Sequence, residues 1–241
     1  MKITFLGTGE AFGEKANTSI LIDDLILLDC GMQTVQQLMK INFHISGIKL
    51  IWGSHLHADH VFGLPAFFCA SMEEGRTECI EILGCEGISG YVEKLLFLAY
   101  RKKLEDFGFK INFTEISKGG RFEFRDYVFE FAETKHSIRS LAVSVTAKDG
   151  EKVTYTGDGE NTAEVVNLAV NSDLIISEAY LENMKGHSSV TGAIELFSRS
   201  GAKKLALVHV SRKAKVNFTE ISGINGNVFM PDDLEILNIK S

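Results

Sequence analysis

The stretch Ser54-His-Leu-His-Ala-Asp-His60 brings together three of the seven histidines of this 241-residue chain and one aspartate. It directly follows the apolar run Leu50-Ile-Trp52, which predicts a buried strand that ends where the polar residues begin. Imidazole nitrogens and carboxylate oxygens are the donors that zinc, iron and similar divalent ions accept in proteins. The stretch therefore predicts a metal site at a strand end, against the alternative of a histidine-rich surface loop.

The spacing within this stretch favours two ions rather than one. His55 and His57 are one residue apart, so an extended or tight loop can direct both at the same ion. Asp59 and His60 come a turn later and can reach a second ion about 3.5–4 Å away, the usual separation in two-metal sites.

Three further residues occupy comparable positions elsewhere in the chain. His136 follows a strand-like run that ends at Ala132, and His209 ends another. Asp158 follows a third and is flanked by two glycines that permit a sharp turn. Because side chains at successive strand ends meet at one rim of a sheet, we expect these residues to converge with the first stretch. His44 has an ordinary apolar context and is predicted to be structural.

Short apolar strands alternate with helical segments along the whole chain. Phe122, Phe124, Phe129 and Phe131 alternate around a short turn, which predicts a hairpin with one buried face. The pattern favours two mixed sheets with helices on their outer sides, in a single domain over residues 1–241. The predicted helices are Gln33–Met39, Gly90–Phe107, Glu160–Val170 and Thr191–Ser200.

With these motifs in view, the chain resembles the metallo-β-lactamase-fold hydrolases, and within them the ribonuclease Z branch. The likeness extends over nearly the whole chain, and the resemblance implies a four-layer αββα sandwich and an enzyme that hydrolyses ester bonds. The matching blocks are Phe5-Leu-Gly-Thr-Gly9, Leu27-Leu-Asp-Cys-Gly31, Ser54-His-Leu-His-Ala-Asp-His-Val-Phe-Gly-Leu-Pro65, Lys135-His-Ser-Ile-Arg-Ser140, Tyr155-Thr-Gly-Asp158, Ser177-Glu-Ala-Tyr180, Gly186-His-Ser-Ser189 and Val208-His-Val-Ser211.

The resemblance also assigns the ligands of two divalent ions, zinc in the first instance, with manganese or iron as alternatives. It implies that one ion is held by three histidines, that the other is held by an aspartate and two histidines, and that a second aspartate bridges the two. These ligands are, in that order, His55, His57 and His136; Asp59, His60 and His209; and Asp158.

The expected reaction is hydrolysis of a phosphodiester or related ester by a metal-bound hydroxide. Asp59 is expected to orient the water or accept its proton. His187 is the candidate proton donor to the leaving group, against a capping or surface role, and Glu178 is expected to set its protonation, against simply fixing a loop. Asp29 is interpreted as supporting the ligand loops, against a simple turn aspartate.

One feature of the ribonuclease Z branch is missing. The glycine- and proline-rich arm that grips tRNA lies in that branch between the residues matching His136 and Asp158, which are only 22 positions apart here. A phosphodiesterase is therefore the favoured interpretation, and two kinds of substrate stay open. One is a small substrate such as a cyclic nucleotide, a sugar phosphate or an aryl sulfate; the other is the 3′ end of a precursor tRNA. Basic residues near the motifs can contact phosphate or be solvated: Lys135, Arg139, Lys185, Arg212, Lys213 and Lys215.

The composition narrows the possible partners, cellular location and class of enzyme. A net charge of −7 does not favour a nucleic-acid polyanion, and no apolar run approaches the length of a membrane span. Four cysteines without paired spacing, and no signal-like opening, predict a cytoplasmic protein with free thiols. An aspartate at position 158, rather than a cysteine, argues against a lactamase, and the His/Asp ligand set argues against a redox module. The segment 71–118 is expected to shape one wall of the cleft, and the resemblance implies a homodimer.

Overall fold

The computed structural model describes residues 1–117, 119–214 and 226–240, and within these ranges it contains fourteen strands and six α-helices. The strands are β1 (Lys2–Gly7), β2 (Ser19–Ile22), β3 (Ile26–Leu28), β4 (Leu50–Gly53), β5 (Ile80–Cys85), β6 (Ile111–Ile116), β7 (Arg121–Phe124), β8 (Tyr127–Glu133), β9 (Leu141–Ala147), β10 (Lys152–Tyr155), β11 (Leu174–Glu178), β12 (Lys204–Val208), β13 (Val228–Phe229) and β14 (Glu235–Asn238). The helices are α1 (Thr34–Lys40), α2 (Ala58–Val61), α3 (Leu64–Glu73), α4 (Ile88–Tyr100), α5 (Ala163–Leu168) and α6 (Val190–Ser200).

The described strands form two seven-stranded sheets. The first has the order β14-β1-β2-β3-β4-β5-β6, and the second has the order β13-β12-β11-β10-β9-β8-β7. Each sheet is mixed: β3 to β6 run parallel to one another, as do β10 to β13, while the remaining neighbours are antiparallel.

Three hydrophobic clusters separate four layers. Between the sheets lie Phe5 and Trp52 from the first sheet, packed with Phe129 and Ile176 from the second. The outer face of the first sheet packs against α1, α3 and α4, and the outer face of the second packs against α5 and α6. The central strands are apolar on both sides because both of their faces are covered. The predicted αββα sandwich is therefore confirmed.

The parallel strands bring the motif residues to one edge of the sandwich. Asp29 follows β3, and the histidine stretch follows β4. In the second sheet, Asp158 follows β10, Glu178 ends β11 and His209 follows β12. Since neighbouring parallel strands end at the same side of a sheet, side chains far apart in sequence meet there.

The secondary structure differs most from the sequence-based expectation at three elements. The helix predicted over Gly90–Phe107 begins at Ile88 and ends at Tyr100, where Arg101 adopts a left-handed conformation with φ 54°. Helix α3 was not predicted, because most of its sides are buried and no clear apolar period is visible. Strand β6 was not predicted either; as an edge strand it is only half-buried. Together with α4 and β5, it makes the segment 71–117 part of the first sheet and its outer layer.

The hairpin predicted around Arg125 is confirmed as β7 and β8, with Phe122 opposite Phe129. None of the described helices combines the length and apolar character that a membrane crossing requires. Lys118 and Lys215 lie outside the described residues.

Candidate metal centre

The first group of converging donors consists of three histidines. His55 Nε2 lies 2.9 Å from His57 Nδ1, and His136 Nε2 lies 3.1 Å from the same atom. The Nδ1 atom of His136 is 2.5 Å from the carbonyl oxygen of Gly186 and must donate to it, so its Nε2 presents a lone pair to the cluster. Three ring nitrogens facing one another in this way form the donor set of a cation site.

The second group is more buried and contains both carboxylates. His60 Nε2 lies 3.4 Å from Asp59 Oδ2 and 3.3 Å from Asp158 Oδ1. His209 Nε2 lies 3.1 Å from Asp59 Oδ2 and 3.5 Å from Asp158 Oδ2. Asp158 Oδ2 is also 3.9 Å from His55 Nε2. Asp158 therefore lies between the two groups.

Two of these atoms have no hydrogen-bond partner among the described residues, although both are buried: His60 Nε2 and Asp158 Oδ1. A buried polar atom without a partner costs about 1–3 kcal/mol, and a bound water or ion is one way in which that cost is removed. Donors of each group lie within 4.8 Å of one another. The residues therefore fit two divalent ions.

A buried carboxylate supports the second group from behind. Asp29 Oδ2 lies 2.6 Å from His60 Nδ1 and accepts hydrogen bonds from Ser54 Oγ at 2.9 Å and Tyr155 Oη at 2.7 Å. Asp29 Oδ1 accepts a bond from the Ser54 amide at 2.7 Å. Because Asp29 holds the Nδ1 proton of His60, it fixes the tautomer that turns Nε2 toward the cluster.

Local backbone geometry aims these side chains. Asp29 and His209 are both left-handed, with φ of 59° and 53°, a conformation that costs a non-glycine residue about 1–2 kcal/mol. Gly157 and Gly159 flank Asp158 with φ of 59° and 132°. A Cβ at Gly159 would lie 2.5 Å from Thr134 Oγ1, so both conformation and space require glycine there. The sharp turn predicted at Asp158 is confirmed.

The two donor groups differ in the charge of their histidines in the metal-free protein. Burial, together with neighbouring imidazoles, lowers the pKa of His55 and His57, which keeps both neutral. Burial also disfavours the protonated form of His209. Three nearby carboxylates favour that form more strongly and raise the pKa of His209 to about 10; they belong to Asp158, Asp59 and Glu178. Burial also opposes charging of His60, yet Asp158 and Asp29 raise its pKa well above its usual range. The second group thus concentrates negative charge, which suits a cation.

His187 and Glu178 form a pair beside the second group. His187 Nδ1 lies 2.5 Å from Glu178 Oε1, while Glu178 Oε2 accepts bonds from the amides of Gly159 and Ser188, both at 2.8 Å. Burial disfavours the charged form of His187, but the bond to Glu178 is stronger and raises its pKa. Within the described part of the chain, no hydrogen bond involves His187 Nε2, so this nitrogen is available for proton transfer.

The structure brings all of the candidate residues together: the seven proposed ligands, His187, Glu178 and Asp29. His44, which the sequence predicted to be structural, lies apart from the site: its side chain is 73% exposed and its Nδ1 lies 2.5 Å from Glu74 Oε2. Three contributors stand in the matching blocks of the sequence but were given no role there. Ser54 and Tyr155 contact Asp29, and Tyr155 does so from 126 positions away. Tyr180 lies against His187, with the ring centres 4.6 Å apart.

Comparison with known proteins agrees with this geometry. The family model of the anti-Pycsar protein Apyc1 matches residues 1–225. Ribonuclease Z from Listeria welshimeri is 26% identical over 308 aligned positions, which cover 99% of each chain. Ribonuclease Z from Methanothermobacter thermautotrophicus is 27% identical, with 89% of this chain and 88% of the relative covered.

Solved structures give the same result. The short form of human tRNase Z superposes with a TM-score of 0.83 at 26% identity and covers both chains completely. The metallo-β-lactamase fold protein YhfI from Bacillus subtilis, at 20% identity, has a TM-score of 0.80 and covers 98% of each chain. The αββα layers, the converging His/Asp donors and these likenesses agree. This chain belongs to the family of the anti-Pycsar protein Apyc1 and is a metal-dependent, ribonuclease Z-like hydrolase of the metallo-β-lactamase fold.

Proposed function

We propose that the protein is a two-ion phosphodiesterase that hydrolyses small phosphodiesters. The observation that carries this proposal is the meeting of two buried donor groups, with unpartnered atoms aimed inward, beside a histidine–glutamate pair. A dinuclear site supplies electrophilic assistance, and the pair supplies a proton. Hydrolysis of a phosphodiester with an alkoxide leaving group needs both.

His55, His57 and His136 would hold one ion, and Asp59, His60 and His209 the other, with Asp158 shared between them. When bound, the ions polarise the phosphoryl oxygens and lower the pKa of a coordinated water. We infer zinc as the resident metal because imidazole and carboxylate donors suit it; manganese and iron accept the same donors. Metal analysis of the purified protein tests this assignment.

The protein's own groups handle the protons. Asp59 Oδ2 lies 3.4 Å from His60 Nε2 and 3.1 Å from His209 Nε2, beside the place where the second ion would be held. In the metal-free protein these two histidines outweigh the effect of burial and keep the pKa of Asp59 below its usual range, so the carboxylate is negatively charged. From this position the carboxylate would orient the attacking water or accept its proton. His187 Nε2 donates a proton to the leaving oxygen, while Glu178 fixes Nδ1 and favours the protonated ring.

The preference for a small substrate rests on what separates this chain from the ribonucleases. Between His136 and Asp158 it has only β9, β10 and the turn joining them. The Listeria alignment spans 308 positions against 241 residues here, so at least 67 positions of that alignment face a gap in this chain. Lys135 and Arg139 already pair with Glu160 and Glu86, at 2.8 and 3.0 Å. Neither an arm nor these cations supports binding of a folded RNA.

Processing of precursor tRNA is the second candidate, because a ribonuclease Z aligns with 99% of the chain. The test is an assay of the purified, metal-loaded protein against four substrates. These are bis(p-nitrophenyl) phosphate, a nucleoside cyclic phosphate, an aryl sulfate and a precursor tRNA with a 3′ extension. Asp158→Ala is the inactive reference, and His44→Ala is the matched control, since His44 lies outside the site.

Turnover of the phosphodiesters, without cleavage at the end of the tRNA acceptor stem, is the expected result. Cleavage there at a rate comparable to the small esters would replace the small-substrate proposal with tRNA processing. Turnover of the sulfate alone would contradict both.

Three broader features accompany this function. We propose that residues 1–241 act as a single hydrolase domain, which the shared core between the two sheets supports. We also propose a cytoplasmic location, which the four free cysteines support. Homodimerisation stays a prediction from the resemblance, and light scattering of the purified protein tests it.

A further inference from the structure

The ring of His187 is confined on three sides. Glu178 holds Nδ1, and His136 meets the ring nearly at a right angle, with centres 4.8 Å apart and planes at 84°. Tyr180 covers one face, with ring centres 4.6 Å apart and planes tilted by 30°. Taken alone, the single hydrogen bond at Nδ1 would let the imidazole ring rotate about that contact. The orientation of the ring plane therefore depends on the side chains packed against it.

Tyr180 is itself well anchored. Its amide donates to the carbonyl oxygen of Ser188 at 2.8 Å, and its carbonyl oxygen accepts a bond from the Ser211 amide at 3.0 Å. Its half-buried ring therefore sits between the loop that carries His187 and the loop that follows His209. The Tyr180 and His209 ring centres are 5.8 Å apart.

We propose that Tyr180 is a positioning residue: its ring stacks on His187 and directs Nε2 toward the leaving-group oxygen. This inference rests on the function proposed above. In that reaction, the water oxygen bonds to phosphorus as the bond from phosphorus to the leaving oxygen breaks. The water loses its proton toward Asp59, and the leaving oxygen takes one from His187 Nε2. The products are a phosphomonoester and an alcohol, which stay in one molecule when the substrate is a cyclic phosphate.

Stacking of this kind is worth about 0.5–1.5 kcal/mol, which corresponds to a rate effect of up to about tenfold. The effect should depend on the leaving group. An alkoxide needs a proton as it departs, whereas a nitrophenolate departs without one. Loss of the Tyr180 ring should therefore slow a nucleoside cyclic phosphate and spare bis(p-nitrophenyl) phosphate.

The test compares Tyr180→Leu with Tyr180→Phe on both esters, with the metal content of each variant measured. Tyr100→Leu makes the same change at a 47% exposed position on α4 and serves as the control. We expect Tyr180→Leu to lower kcat for the cyclic phosphate about tenfold and for the nitrophenyl ester less than about twofold, with KM little changed. Tyr180→Phe should retain wild-type rates because the ring remains.

Each other outcome is decisive. Equal losses on the two esters, or no loss on either, would overturn the positioning role. Loss of bound metal in Tyr180→Leu would mean that the Tyr180 ring acts through the metal ligand His209 and not through His187. A defect in Tyr180→Phe as large as that in Tyr180→Leu would mean that the ring does not position His187. If the wild-type protein hydrolyses neither ester with its ions bound, the proposed function fails, and the role of Tyr180 with it.

Discussion

Replacing Tyr155 with phenylalanine removes one hydroxyl from the support of the second donor group and leaves everything else in place. The Tyr155 hydroxyl donates to Asp29 Oδ2 at 2.7 Å and is fully buried. The same oxygen keeps its contacts with Ser54 Oγ and His60 Nδ1. The change therefore weakens the hold of Asp29 on His60 without deleting it.

The expected loss of stability is about 1.5–2 kcal/mol, the lower part of the range for a hydrogen bond to a charged group. The expected loss of metal affinity is about tenfold and confined to the ion of the second donor group, because Asp29 contacts His60. This is the low end of the range for changing a residue that supports a metal ligand, because Asp29 itself remains. Urea unfolding of the metal-free protein measures the first quantity, and chelator competition measures the second.

Tyr127→Phe is the matched control, because the Tyr127 hydroxyl donates to Asp23 Oδ2 at the same 2.7 Å but far from the site. It should cost about 1 kcal/mol, since this tyrosine is only half-buried, and leave both metal affinities unchanged. Equal metal affinities in the two variants would refute the argument that the Asp29 network tunes the second group.

Three further predictions follow from the same geometry. His187→Ala should retain both ions and slow esters with poor leaving groups most; loss of stoichiometric metal, measured by elemental analysis, would show that His187 is a ligand instead. The pKa of His209, raised from 6.5 to about 10, means that an ion must displace a proton at neutral pH. The affinity of the second donor group for its ion should therefore rise with pH toward 10. Calorimetry in buffers of different ionisation enthalpy should detect the proton that metal binding releases. In the metal-free protein, the stabilisation that the His209 charge provides is complete below pH 6.5 and is lost as the pH rises through about 10. Gly159→Ala should destabilise the fold by about 1–3 kcal/mol in thermal unfolding, because φ is 132° and Thr134 occupies the space; a loss no larger than that of Gly75→Ala, which is also left-handed but open, would contradict this.

The sequence predicted the metal centre better than the elements around it. Placement at strand ends predicts the convergence of the candidate ligands. Asp158 and His209 follow strands of the parallel run β10 to β12, which end at the same edge of the second sheet. His136 follows β8, which runs in the same direction as β10 although its own neighbours are antiparallel. The contacts of Tyr155 with Asp29 and of Tyr180 with His187 were not predictable, because each depends on side-chain packing between elements distant along the chain. Helix α3 gave no amphipathic pattern, since Phe67 and Phe68 are buried together.

The most direct test of a two-ion phosphodiesterase is a titration of the metal-free protein with zinc, and in parallel with manganese. Hydrolysis of bis(p-nitrophenyl) phosphate is followed at each step, and bound metal is counted in the same samples. Activity should rise steeply as the second equivalent binds and reach a plateau at two ions per chain. A plateau at one ion, or no hydrolysis with two ions bound, would contradict the account.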